Sequence, residues 1–262
     1  MPQQPSAASM PSHASAQLIA DLHLNALEPA TAAAFERFVL ADSAKAEALF
    51  ILGDLFDYWA GDDDMDDVFN AHIIALLRHA ASQTKLYFMH GNRDFLIGEH
   101  FAKAAQLTLL DDPTMVSIAG QSYLLSHGDV LCTDDHAYQA FRAQVRNKAW
   151  QDAILARPLA ERKALARQLR QQSQDAKSGK TMLEMDVNET AVHEFMQAHG
   201  AHELIHGHTH RPAHHVVTDS THQPALTQSR RVLSDWHWDG IEQRGNILHI
   251  GTAGITLHEI PA

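Results

Sequence analysis

The stretch Ala48-Leu49-Phe50-Ile51-Leu52-Gly53-Asp54 decides the fold. Five apolar residues in a row, then a glycine and a carboxylate, read as a short strand buried on both faces that ends in a turn. Four other stretches have the same form. Gln17-Leu18-Ile19-Ala20 runs into Asp21-Leu22-His23, and Leu86-Tyr87-Phe88-Met89 into His90-Gly91-Asn92. Tyr123-Leu124-Leu125-Ser126 runs into His127-Gly128-Asp129, and Leu204-Ile205-His206 into Gly207-His208-Thr209-His210. Helical patterns lie between them. Pro29 to Ala41 is Ala-rich with apolar Phe35, Phe38 and Val39, and Val68 to Ala81 repeats apolar residues at helical spacing. Strands alternating with helices predict an α/β sheet, with ligands beyond the carboxyl ends of its strands. All five polar endings are therefore expected on one edge.

Residues 136–200 break this rhythm. They are rich in Ala, Arg, Gln and Leu and predict two or more helices. Pro158 is expected to open one, and Gly179 to interrupt another segment. We read this stretch as a helical cap inserted into a core formed by 17–135 and 201–262. The closing segment, Ile247 to Ile260, reads as strands of a second sheet. Residues 1–16 are rich in Ala, Ser, Pro and Gln and lack the basic and apolar regions of a secretory signal. A disordered extension is expected there. No apolar run approaches the roughly 18 residues that a membrane span needs.

The 262 residues carry a formal net charge of −12, which argues against broad nucleic-acid binding. The charge is uneven. Arg142 to Lys180 holds ten Lys/Arg and three Asp/Glu, a net of +7, which leaves −19 for the rest. A basic segment on an acidic protein suggests an anionic partner, with a solvated helical hairpin as the plain alternative. The single cysteine, Cys132, excludes a disulfide within the chain and fits a reducing compartment. It reads as a buried or half-buried thiol.

Asp, His and Asn at strand ends supply oxygen and imidazole ligands, which suit manganese, iron or zinc. In an Asp-x-His or His-x-His step leaving a strand, alternation would put both side chains on one side. The glycines would let neighbouring backbones approach closely. A carboxylate such as Asp54 has two oxygens and can bridge two cations. Such a pair activates water and stabilises in-line displacement at phosphorus. A single Asp-x-His carries little information, but five ligand-bearing strand ends in one order carry a great deal.

In that order, the blocks from Asp21 to His210 resemble the calcineurin-like metallophosphoesterase superfamily. The finer segments resemble its branch that cleaves the pyrophosphate of UDP-2,3-diacylglucosamine in lipid A biosynthesis. These are Trp59-Ala60-Gly61-Asp62-Asp63-Asp64, Gly91-Asn92-Arg93-Asp94-Phe95-Leu96-Ile97-Gly98, Met185-Asp186-Val187-Asn188 and Ile205-His206-Gly207-His208-Thr209-His210-Arg211-Pro212. The resemblance implies an α/β fold, a four-layer αββα sandwich with an inserted helical lid, holding two manganese ions per subunit. It assigns Asp21, His23 and His210 to one ion, Asn92, His127 and His208 to the other, and Asp54 to both. It implies attack by metal-activated water at the α-phosphorus, giving UMP and 2,3-diacylglucosamine 1-phosphate, with Asp54, Asn92, Arg93 and His208 catalytic. Substrate contacts would come from Asn92, Arg93, Asp135, Ser173, Lys177, Lys180 and His208. Lys177 stands where that branch has an Asn.

Many superfamily members place a proton-donating His after the Asn, where this chain has Arg93. Arginine is a poor proton donor but a good bidentate phosphate clamp. That suits a leaving phosphate, which departs as a stabilised anion. The apolar cap residues Trp150, Ile154, Leu155, Leu165 and Leu169 could line an acyl groove or simply pack between helices. The basic stretch could also rest on anionic head groups, which would place the protein peripherally on the cytoplasmic face of the inner membrane. No obligate protein partner is inferred. Two other readings are a soluble nucleotide-diphosphate or cyclic-nucleotide phosphodiesterase, and a metallophosphoesterase fold kept as a protein-binding scaffold. Seven filled ligand positions argue against the scaffold.

Overall fold

The computed structural model describes residues 10–178, 186–219 and 226–260. Continuous apolar runs become strands because both of their faces are covered. In chain order the strands are β1 (Ser12–His13), β2 (Ala16–Ile19), β3 (Ala48–Leu52), β4 (Lys85–Met89), β5 (Thr108–Leu110), β6 (Thr114–Ile118), β7 (Gln121–Ser126), β8 (Glu203–His206), β9 (Ala213–Asp219), β10 (Leu226–Val232), β11 (Asn246–Gly251) and β12 (Gly254–Glu259). One sheet has the order β12-β11-β2-β3-β4-β5 and the other β1-β6-β7-β8-β10-β9. Strands β2 to β5 are mutually parallel, as are β7, β8 and β10.

The helices are α1 (Pro29–Ala41), α2 (Val68–Ala81), α3 (Glu99–Ala105), α4 (His136–Val145), α5 (Lys148–Leu155), α6 (Leu159–Ser178) and α7 (Glu189–Ala198). Side-chain alternation along the strands builds the layers. In β3, Leu49 and Ile51 face the cluster that holds Phe35, Phe38, Ile73 and Phe101 of α1 to α3. Phe50 and Leu52 face the other way, onto Val116, Leu125 and Ile205 of the second sheet. Leu124 and Leu204 turn outward from that sheet onto Val192 and Met196 of α7. The result is the expected αββα sandwich.

The structure corrects four expectations. The five polar strand ends do not line one sheet: β2, β3 and β4 belong to one and β7 and β8 to the other, so the ends meet across the top of the sandwich. The closing strands β11 and β12 do not form a second sheet but extend the one that holds β2 to β4. Part of the stretch 1–16 is ordered, because Ser12–His13 pairs with β6 and His13 bonds to Tyr87 at 3.1 Å, while residues 1–9 lie outside the described residues. Helix α7 packs on the outer face of the second sheet, which places it with the core and not with the cap. Its apolar residues have the same spacing whichever surface they face.

Helices α4 to α6 make up the inserted segment among the described residues. Asp135 Oδ1 and Asn147 Oδ1 cap α4 and α5, accepting backbone N–H groups at 3.0 and 3.1 Å. Pro158 immediately precedes α6 as expected, while Gly179 lies outside the described residues. The basic character of the segment serves the fold. Arg142 and Arg146 face Asp129 at 2.9 and 3.8 Å, and Lys148 pairs with Asp152. Arg162 is buried between Asp63 and the Ala60 carbonyl. Lys163 reaches Asp64 at 2.6 Å, and Arg170 reaches Asp57 at 2.8 Å. Among the described side chains, six of the eight basic residues are thus spent on ion pairs, five of them on acidic groups of the core. Cys132 is buried, and burial with Asp129, Asp186 and Asp135 nearby pushes its thiol up to about 12.

Candidate active site

Five of the seven candidate ligands leave their strands in the left-handed region. Asp21, His23, Asp54, His208 and His210 have φ of 55°, 49°, 54°, 68° and 55°. Non-glycine residues seldom adopt this region, and each such residue costs on the order of 1–3 kcal/mol unless its surroundings hold it. Here they are held. Asp21 N–H donates to the Gly53 carbonyl and His23 N–H to that of Asp54, at 3.1 and 2.9 Å. His208 N–H donates to Asp21 Oδ2 at 2.8 Å. The convergence of Asp-x-His and His-x-His therefore arises from a tight left-handed turn, not from the strand alternation expected.

The side chains meet in two adjoining groups. In the first, His23 Nε2 is 3.2 Å from His210 Nε2, which is 3.6 Å from Asp21 Oδ1. In the second, His127 Nε2 is 3.1 Å from Asn92 Oδ1 and 3.9 Å from Asp54 Oδ1. The His208 ring sits 5.0 Å from that of His127. Asp54 joins the two, with its Oδ2 3.9 Å from His23 Nδ1. Asp21 also comes within ligand distance of Asp54 and His127, which the expected division had not assigned.

The electrostatics fit a pair of cations. Asp21 and Asp54 are both buried, and among the described residues Asp21 Oδ1 is faced by His210 Nε2, at 3.6 Å. Burial, reinforced by Asp21, raises the Asp54 carboxyl above its ordinary range despite His127 and Arg93 nearby. Burial alone would lower His127, but Asp54, Asp129 and Asp21 outweigh it and push the imidazole up to about 9. Burial and the His127 charge push His208 down to about 3. Positive charge is thus wanted at the centre of the site, and oxygen and imidazole donors are turned toward it.

Several residues that hold the site together were given no role in the sequence reading. Asp94 ties two ligand loops together, accepting Gly91 N–H at 2.8 Å and Leu55 N–H at 2.7 Å. Tyr138 donates to Asp129 at 2.8 Å and lays its ring 5.6 Å from that of His208, bringing α4 onto the site. Asp94 and Asp129 stand beside ligand motifs, a signal that could have found them. Tyr138 had none. Of the expected substrate contacts, Asn92, Arg93 and His208 lie at the site, and Arg93 N–H donates to Asp54 Oδ1 at 2.8 Å. Asp135 caps α4. Ser173 and Lys177 fall on the last turns of α6, where their side chains, like Lys180, lie outside the described residues.

A two-layered sheet sandwich with Asp, Asn and His side chains on adjoining strand ends defines a class, and the chain belongs to it: the calcineurin-like phosphoesterase family, whose model matches residues 18–212. Closer relatives are named UDP-2,3-diacylglucosamine hydrolase. The one from Aromatoleum aromaticum is 50% identical over 234 residues, 86% of this chain and 94% of that one. The one from Chromobacterium violaceum is 50% identical over 238 residues, 90% of this chain and 95% of that one. The one from Escherichia coli O17:K52:H18 is 47% identical over 222 residues, 85% and 91%.

Proposed function

We propose that this metallophosphoesterase hydrolyses the pyrophosphate of UDP-2,3-diacylglucosamine, releasing UMP and 2,3-diacylglucosamine 1-phosphate. The observation that carries the reading is the 50% identity, over 86–90% of the chain, to relatives named for that substrate. Two divalent cations, which we take to be manganese, would supply Lewis acidity to water and to the phosphoryl oxygens. Asp21, His23 and His210 would hold one and Asn92, His127 and His208 the other, with Asp54 between them.

The chain's own residues define the rest. The water oxygen bonds to the α-phosphorus, the bond from that phosphorus to the bridging oxygen breaks, the bridging oxygen leaves with the lipid phosphate, and the protons of the water pass to solvent. That leaving group needs no proton, which matches Arg93 at a position from which it can clamp phosphate oxygens. Asn92 and His208 border the same space. Asp135, Ser173, Lys177 and Lys180 remain our candidates for the sugar and phosphate, with Asp135 acting at least by orienting α4. Trp150, Leu165 and Leu169 are half-buried and Leu155 is exposed, so the cap carries apolar surface suited to acyl chains.

Turnover of UDP-2,3-diacylglucosamine with Mn2+ is expected to yield UMP. Release of UDP would refute the site of attack. Equal turnover of deacylated UDP-glucosamine would favour the soluble phosphodiesterase reading instead.

No helix among the described residues is long and apolar enough to cross a membrane. We propose a peripheral association with anionic lipid at the inner face of the cell membrane. It rests on Arg157 and Arg167, the described basic residues of 136–200 that the ion pairs above do not use, and on the further basic charge of Lys177 and Lys180 in the sequence. Binding to vesicles containing anionic lipid should weaken steeply with salt. Equal binding to neutral vesicles would count against an electrostatic contact.

A further inference from the structure

The loop between β10 and β11 wraps the first ligand group. Leu233 N–H donates to the His206 carbonyl at 2.8 Å, and Trp236 N–H to the Asp21 carbonyl at 3.0 Å. Between these anchors stands Asp235, 4% exposed. Its Oδ2 lies 3.5 Å from His210 Nδ1, on the far side of the ring from Nε2, which faces His23 and Asp21. The carboxylate is itself clamped. Arg244 Nε donates to its two oxygens at 2.8 and 2.9 Å, and Nη2 donates to Oδ2 at 2.6 Å. Arg244 is fixed in turn by a pair of backbone hydrogen bonds with His237, at 2.8 and 2.9 Å.

We infer that Asp235, held by Arg244, is a positioning residue for the metal centre. It keeps the His210 proton on Nδ1 and so leaves the Nε2 lone pair facing the cations. An imidazole with no partner at Nδ1 exchanges tautomers and rotates, and either change removes a donor from the site. His127 has the equivalent support from a backbone oxygen, with Nδ1 2.9 Å from the Leu52 carbonyl. A carboxylate differs from a carbonyl in also raising the basicity of the ring it holds. Arg244 offsets the cost of burying that charge. In this proposal Asp235 acts through His210 and not by contact with substrate or cation.

The proposal rests on the two-cation reading, and the test separates the two. Mn2+ binding is followed by calorimetry and by electron paramagnetic resonance, which distinguishes a spin-coupled pair from a lone ion. Wild-type protein should bind two Mn2+ as a coupled pair. Asp235→Ala should weaken one of them by about 10–100-fold, so that at limiting Mn2+ the spectrum becomes that of a single ion. Asp235→Asn keeps an oxygen acceptor for Nδ1–H and should restore part of the affinity. Arg244→Gln should give a smaller loss in the same site, which covers the case in which Asp235→Ala does not fold. Wild-type affinity for both ions in Asp235→Asn and Arg244→Gln, with Asp235→Ala no different wherever it folds, would overturn the positioning role. Wild-type protein that binds no Mn2+ would remove the two-cation reading and this inference with it.

Discussion

Asp54→Asn is expected to lower turnover by roughly 10²–10³-fold or more, the scale seen when one fixed electrostatic partner of a transition state is removed. Asp54 is where the two halves of the site touch, Oδ2 toward His23 and Oδ1 toward His127, each at 3.9 Å. Asparagine has the same shape and tolerates the left-handed backbone at this position, so the fold should survive. It lacks the charge and one acceptor oxygen, so Mn2+ should bind more weakly and the coupled pair should be lost. The metal-free protein should respond in the opposite sense. Burial raises the Asp54 carboxyl, and Asp21 adds to the shift. A group whose folded pKa lies above its unfolded value loses stabilising power as pH rises through that interval, so a neutral side chain relieves the protein near pH 7. The melting temperature of the metal-free variant should equal or exceed that of the wild type. A variant that melts lower yet keeps full turnover would show that Asp54 serves the fold and not the reaction.

Much of this site was readable because metal chemistry restricts residue types. A buried strand followed by Asp, His or Asn is an unusual combination, and the bounds of β3, α1 and α2 coincide with apolar patterns visible in the chain. What escaped reading depends on partners distant in sequence. A strand buried on both faces looks the same whichever sheet it joins, so β7 and β8 could not be separated from β2 to β4. Two-residue strands such as Ser12–His13 leave no periodicity to find. Asp235 sits in a loop with no apolar run before it and gains its meaning only from His210 and Arg244 folding against it. The basic residues of α4 to α6 were visible as a charge excess. Their partners are up to about a hundred residues away, as in the Arg162–Asp63 pair, so the excess suggested an external anion where much of it answers the core's own carboxylates.

Gly91→Ala should be nearly as damaging as loss of the Asp54 charge, though it adds one methyl group and removes nothing. A Cβ on Gly91 would stand 2.0 Å from Asp54 Oδ1, 2.3 Å from Asp54 N and 2.7 Å from Asp54 Cγ. Neither side can give way easily. Asp54 is followed by Leu55, whose N–H is held by Asp94 at 2.7 Å, and Arg146 holds the Gly91 carbonyl at 3.1 Å. The contact with Asp54 N is to backbone, so one of the two loops must shift together with the carboxylate, and Asp54 moves by something near an ångström. A displacement of that size is enough for on the order of 10²-fold in rate. Strain from overpacking adds about 1–3 kcal/mol of destabilisation. Gly120→Ala is the natural comparison, since Gly120 has φ of +80° but no atom within 4 Å of the place its methyl would take. That variant should lose only about 1 kcal/mol, from backbone strain, and keep its turnover number. Measured together, the two variants separate conformational strain from displacement of Asp54. Wild-type turnover in Gly91→Ala would mean that the reaction does not depend on the Asp54 carboxylate standing where Gly91 now leaves room for it.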